Sequence, residues 1–273
     1  MKKIITVQDI SCYGSCSLTA ALPVFSAYGI EAAVLPTALL STHTGGFPGF
    51  TNLDLTDEME RIAAHWEALG LRFDAVVTGY IGNSRQLDTI LRLRTLLKED
   101  GKLIVDPAMA DHGKLYKALS PDIVDGMRTL VQSADLILPN RTEAALLTGR
   151  EYTAEASEEE IRETLLALSE LGPEVSVITG VRTQEGRIGA AAFERSSGRF
   201  TLRDAEYMPR SYFGTGDLFT AVTSAVWLGG GRVEDALGEA CRFVAESIRQ
   251  TLDDPEHGYG VKFQKVLAGQ RGR

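Results

Sequence analysis

An α/β fold, with a mostly parallel central sheet covered by helices on both faces, is predicted by three features of the sequence. Short β-branched runs alternate with stretches of helical spacing along most of the chain. The strand-like runs are apolar throughout, as befits a sheet buried on both sides. Glycines stand where helical stretches stop, at Gly29, Gly70 and Gly101.

The elements follow in order. Lys3-Ile4-Ile5-Thr6-Val7 reads as a buried strand, and residues 15–28 as a helix with Leu18, Ala21, Leu22 and Phe25 on one side. Ala32 to Leu35 is a second strand. A helix over 56–69 leads to the strand Ala75–Thr78, a helix over 84–99 to Leu103–Val105, and a helix near 121–132 to Leu136–Leu138. A helix over 157–171 precedes Val175–Ile178. The rhythm then breaks: residues 187–207 hold two strand-like runs around Ser196-Ser197-Gly198, the pattern of a small antiparallel hairpin in the C-terminal third. Helices over 215–228 and 233–251 follow, and a polar tail over 264–273 is expected to fray. No linker or repeat interrupts the pattern, so residues 1–273 are expected to form one domain.

A chain of 273 residues can bury a sufficient core without disulfides or metals. The formal charge of −9, with no basic run, argues against nucleic acid as a partner. No apolar run reaches the ~18 residues of a membrane span, and the N-terminus has no signal-peptide core. A cytoplasmic protein is therefore expected. Cys12, Cys16 and Cys241 lack zinc-site spacing and read as reduced packing residues.

Ligands of open parallel sheets bind at the carboxyl ends of the strands. Gln8–Ser11, Thr78–Asn83, Asp106–Gly113, Pro139–Glu143 and Thr179–Arg182 all fall at such ends. The richest motif is Gly214-Thr215-Gly216-Asp217, opening a helix. Glycines admit close approach of an anion to the helix N–H groups, and an acid in the first turn suits removal of a proton from an attacking hydroxyl during phosphoryl transfer. The alternative is a glycine turn with Asp217 as a helix-capping residue.

The motifs taken together resemble the ribokinase-like superfamily of three-layer kinases, and within it the pyridoxal kinases. The resemblance rests on Gly214–Asp217, on Asp106-Pro107 through Asp111 followed by Gly113–Tyr116, on Pro139-Asn140-Arg141-Thr142-Glu143, on His43-Thr44-Gly45, and on Thr78-Gly79-Tyr80, in order along residues 8 to 250. It implies Asp217 as catalytic base for the 5′-hydroxymethyl group of a B6 vitamer, with Gly214, Thr215 and Gly216 as the anion hole for the γ-phosphate of ATP. Asn140 and Glu143 would organise Mg²⁺ through water, and whether a monovalent cation joins ATP and Mg²⁺ is left open by the sequence. Asp106 and Asp111 would lie near the phosphates, Tyr116 over them, and Thr179 and Gly180 at the nucleotide. Asp9 or Ser11, with Thr44 and Tyr80, would face the pyridine ring, while His43 reads as a structural, hydrogen-bonding histidine. The family also implies a homodimer.

The chain departs from the family where Asp9 replaces a Ser after Gln8, where Gly180 replaces a Ser after Thr179, and where Leu138 replaces a Thr before Pro139. The nearest rival is a hydroxymethylpyrimidine (phosphate) kinase of the same fold, which typically has Cys where this chain has Asp217. Sugar kinases share the glycine turn but insert a lid for which residues 30–55 are too short. A non-catalytic vitamin-binding protein would not need Asp217, Asn140 and Glu143 together.

Overall fold

The structure is a computed structural model that describes residues 1–254 and 256–270. Along the chain run β1 (Lys3–Ser11), α1 (Ser17–Ala27), β2 (Glu31–Leu40), β3 (Asn52–Asp54), α2 (Thr56–Ala68), β4 (Phe73–Thr78), α3 (Ser84–Arg92), β5 (Leu97–Val105), β6 (Ala110–Asp111) and β7 (Lys114–Leu115). Then come α4 (Ile123–Gln132), β8 (Leu136–Ile137), α5 (Arg141–Thr148), α6 (Glu158–Glu170), β9 (Val175–Gln184), β10 (Arg187–Glu194), β11 (Arg199–Glu206), α7 (Thr215–Leu228), α8 (Val233–Arg249) and α9 (Phe263–Gln270). One sheet runs β11-β10-β9-β8-β5-β4-β1-β2-β3. Its strands from β9 through to β2 are parallel, whereas β3 pairs antiparallel to β2 and β10 antiparallel to β9. β10 and β11 form the expected hairpin, with Arg187 opposite Glu206, and β6–β7 is a second, smaller one.

Side-chain alternation along β1 explains the three layers. Ile5 and Val7 join a core with Met59, Leu87, Met127, Leu147 and Leu165, which the helices α2 to α6 supply. Ile4 points the other way, into a core with Phe25, Leu218, Val222, Leu237 and Phe263 from α1 and α7 to α9. Helix α7 is buried continuously from Leu218 to Ala225, as a helix apolar on most sides must be.

Some expected boundaries are wrong. β1 does not stop at Val7 but continues to Ser11, so Gln8–Ser11 belong to the strand rather than to a loop after it. Its ladder to β2 is irregular between Gln8 and Ile10, a disruption of the kind that re-aims side chains beside functional sites. Thr179 to Arg182 likewise lie within β9. The helix expected over 84–99 ends at Arg92; a 3-10 turn follows, and residues 97–99 open β5. Helix α5 was not foreseen. The expected frayed tail is helical over Phe263–Gln270, with Phe263 and Val266 buried; residues 271–273 lie outside the described residues.

Candidate active site

Helix α7 begins where the chain turns at Gly214, whose φ of 79° is in the left-handed region. A Cβ there would lie 2.0 Å from the carbonyl oxygen of Ser15, so only glycine fits the turn against the loop after β1. At Gly216 a Cβ would meet no described atom within 4 Å, so the first turn of α7 opens onto free space. The Thr215 hydroxyl donates to the carbonyl of Tyr212, 3.1 Å away, and so braces the turn. Asp217 follows in the same first turn. Although the residue keeps some exposure, the protein packed round its carboxylate pushes its pKa up to about 6. The hydrogen bond from the Ser17 N–H pulls the other way, and the nearby Asp9 charge adds to the rise.

On the acceptor side, Asp9 and Ser11 sit two apart on β1 and therefore face the same way. The Ser11 hydroxyl donates to Asp9 Oδ2 at 3.0 Å, and the Ser17 hydroxyl to Asp9 Oδ1 at 2.5 Å. Burial nevertheless raises the Asp9 pKa. Tyr80 stands close enough for Asp9 to raise its phenol, after the larger effect of burial. Thr44 lies exposed in the loop between β2 and β3. Its neighbour His43 is buried, with ring contacts of 4.5 Å to Phe213 and 4.9 Å to Phe47. Neither His43 nitrogen has a hydrogen-bond partner among the described residues, which corrects the hydrogen-bonding role expected of it. Burial lowers its pKa, so it packs as a neutral ring.

On the other side of Asp217 lies a group of acids. Asp106, at the end of β5, is 8% exposed and accepts a hydrogen bond from Thr220 at 2.7 Å. Burial, with the Asp217 charge beyond it, pushes its pKa up to about 7. Glu143 is also buried, and burial together with Asp106 raises it well above the usual carboxylate range. Its Oε1 accepts the N–H groups of Met109 at 3.0 Å and Ala110 at 3.3 Å, and its Oε2 that of Asn140 at 2.8 Å. Asn140 caps α5: its Oδ1 takes the N–H groups of Thr142 and Glu143, and its Nδ2 donates to the Ala110 carbonyl. Tyr116 is 39% exposed, yet its phenol is raised by desolvation and by the charges of Glu143, Asp111, Asp106 and Asp217. Asp111 itself is exposed and accepts from the His112 N–H. Thr179 bridges to Asn140 across the strand ends, while Gly180 is exposed with φ 71°.

Asp9, Asp106, Glu143 and Asp217 thus converge, with Ser11, Tyr80, Asn140 and Tyr116 around them. Thr44 and Gly180 are at the margin. Sequence reasoning missed Ser17, which touches both Asp9 and Asp217, and Thr220, which holds Asp106. The spacing of Thr220 from Asp217, three residues on a helix, was a usable signal; nothing in the sequence marked Ser17.

The oxygens of Asn140 and Glu143 decide whether Mg²⁺ fits here. Asn140 Oδ1 already accepts two N–H groups and Glu143 Oε1 two more, leaving one open lone pair, on Glu143 Oε2. Among the described residues no set of three His, Cys, Asp or Glu side chains is placed to hold a metal unaided. The donors fit a hydrated ion reached through water, since Mg²⁺ sheds its waters reluctantly.

The phosphomethylpyrimidine kinase family matches residues 11–262. A pyridoxal kinase structure from Lactobacillus plantarum is 32% identical, with a TM-score of 0.91 over 98% of this chain and 96% of that one. A Bacteroides thetaiotaomicron protein assigned to the phosphomethylpyrimidine kinases, in a crystal form with pyridoxal, is 37% identical with a TM-score of 0.93, covering 99% and 96%. The pyridoxal kinase of Arabidopsis thaliana is 28% identical over 268 residues, 92% of this chain and 83% of that protein. Fold and relatives together define an ATP-dependent phosphotransferase. The chain belongs to the phosphomethylpyrimidine kinase family of the ribokinase-like superfamily, and pyridoxal kinases are among its relatives.

Proposed function

We propose that this kinase transfers the γ-phosphoryl group of ATP to the 5′-hydroxymethyl group of a B6 vitamer. The observation that carries the reading is Asp217 in the first turn of a helix that opens onto free space at Gly216, with a pKa near 6. A carboxylate so placed is ionised at neutral pH yet basic enough to take a proton. In this reading the acceptor oxygen attacks the γ-phosphorus, its proton passes to Asp217, and the bond from phosphorus to the leaving ADP oxygen breaks. The N–H groups at Gly214, Thr215 and Gly216 hold the charge that develops on the phosphoryl oxygens. Asp9 and Ser11, with Tyr80 and Thr44, receive the ring; Asp106, Asp111, Tyr116, Thr179 and Gly180 surround the nucleotide. Glu143, through the open lone pair of Oε2 and aligned by its bond from the Asn140 N–H, would hold hydrated Mg²⁺, which screens the phosphate charge when bound.

Two relatives support the vitamer: the Lactobacillus pyridoxal kinase, and the Bacteroides protein whose crystal contains pyridoxal. The family's own description favours a second reading, phosphorylation of a hydroxymethylpyrimidine. ADP release measured with pyridoxal, pyridoxamine, pyridoxine and hydroxymethylpyrimidine separates them. The vitamers are expected to turn over best, and Asp217→Asn to lower turnover by ~10²–10⁴ with the fold retained. A preference for the pyrimidine refutes the substrate, and undiminished turnover in the variant refutes the base. The resemblance adds a homodimer to this reading, testable by sedimentation velocity, and potassium titration of turnover decides whether a monovalent cation takes part.

A further inference from the structure

We propose that Ser17 is a positioning residue for phosphoryl transfer: its main-chain N–H fixes Asp217, and its hydroxyl ties Asp217 to the acceptor-side acid Asp9. The inference rests on the reading of Asp217 as base. Ser17 N lies 2.8 Å from Asp217 Oδ2, and Ser17 Oγ lies 2.5 Å from Asp9 Oδ1. One residue therefore spans the two carboxylates, although Ser17 and Asp217 are 200 positions apart in the chain.

The main-chain contact depends on an unusual conformation. Ser17 has φ 48°, in the left-handed region that a side-chain-bearing residue seldom enters. Such a conformation persists only where its surroundings over-determine it, and here they do. A Cβ at Gly214 would strike Ser15 O at 2.0 Å, and one at Gly260 would meet Ser15 Cβ at 2.6 Å, so the loop is pinched between two glycines. The Ser15 N–H donates to the Tyr259 carbonyl at 2.9 Å, and Gly14 packs on the His43 ring with no room for a Cβ. The loop is held from three sides, and it presents the Ser17 N–H to the helix that carries the base.

The chemical consequence is a choice between two oxygens. Asp217 Oδ2 gives one lone pair to the Ser17 N–H, whereas among the described residues Oδ1 accepts no hydrogen bond and keeps both. Oδ1 is then the more open oxygen to receive the acceptor proton, with its direction set by Ser17. The hydroxyl bond to Asp9 places the ring-binding acid in register with that oxygen. A shift in either contact misaligns the attacking hydroxyl, and catalysis is steep in such displacements.

Steady-state kinetics on two Ser17 variants, in the wild-type and Asp217→Asn backgrounds, test this. Ser17→Gly retains the left-handed backbone and the N–H but loses the hydroxyl; the acceptor KM is expected to rise about tenfold, with a much smaller fall in kcat. Ser17→Val carries a β-branched side chain that resists φ near 48°; kcat is expected to fall ~10- to 100-fold, with the ATP KM changed less than about twofold. In the Asp217→Asn background, adding Ser17→Val should alter the residual rate by less than about twofold, because its effect is exerted through Asp217. An equal loss in both backgrounds overturns the inference while leaving the base in place. Full turnover in Asp217→Asn alone refutes the base and the inference with it. If Ser17→Val does not fold, Ser17→Gly decides: an unchanged acceptor KM refutes the tie to Asp9.

Discussion

Thr220 stands one helical turn beyond Asp217 on α7 and donates its hydroxyl to Asp106, 2.7 Å away, so a single helix carries the proposed base and also steadies the buried acid beside it. Replacing Thr220 by Val keeps the shape but leaves Asp106 short of its donor. A loss of about 1–3 kcal/mol is expected in denaturant unfolding, the usual cost of stranding a buried acceptor. A neutral result would mean that Asp106 holds its proton and needs no donor.

Acidity gives a second prediction. Asp217 keeps its proton up to about pH 6 in the folded protein because of burial and the nearby Asp9. As a base it works only above that value, so kcat/KM should fall tenfold per pH unit below about 6, a limb missing in Asp217→Asn. For stability the sign is opposite to that of a salt-bridged acid. Between the unfolded value of about 3.9 and the folded value of about 6, the folded state binds more protons, so the contribution of this group falls as pH rises. Asp217→Asn should therefore raise Tm relative to wild type at about pH 8 and lose that advantage at about pH 4.

The two glycines of the turn should part company under the same substitution. Gly214→Ala meets the Ser15 carbonyl and a left-handed φ, so both stability and activity should drop. Gly216→Ala meets nothing and gains up to about 1 kcal/mol of helix propensity. Its melting temperature should hold or rise while turnover falls, because the methyl group fills the space where the phosphate is expected. Retained turnover in Gly216→Ala would remove that turn from the phosphate site.

Asn140→Ala removes the acceptor for two N–H groups at the start of α5 and the bond to Ala110. About 1–2 kcal/mol of stability should be lost. The Mg²⁺ concentration for half-maximal turnover should also rise, as Glu143 loses its alignment. A stability loss with an unchanged metal requirement would make Asn140 a helix cap and nothing more.

Much of this architecture can be read from the chain because β-branched runs and helical spacing are local signals. Lys3–Val7, Ala75–Thr78 and Val175–Ile178 all fall within strands of the sheet. What failed was either short or set from a distance. Residues 97–99 look helical in isolation, but Leu97 pairs with Phe73 of β4 and the ladder resumes at Lys102 after an irregular stretch. Helix α5 has only eight residues, although Asn140 and Glu143 carry the spacing of a capping box. At the site, Asp217, Asp106 and Glu143 were found because each lies in a recognisable motif. Ser17 was not, because its contact with Asp217 spans 200 positions and the loop before it packs on glycines at 214 and 260, far along the chain.

The loop after β1 is gripped by residues near the other end of the polypeptide, with Ser15 bound to Tyr259 and wedged against Gly260. Translation runs from one end to the other, and segments fold as they emerge. The nascent protein can assemble β1 and its bonds from Ser11 and Ser17 to Asp9 while the Ser17 N–H still waits for Asp217, 200 positions on. The loop that carries Ser17 is pinned on this side only once residues 259 and 260 have emerged, well after Asp217 itself.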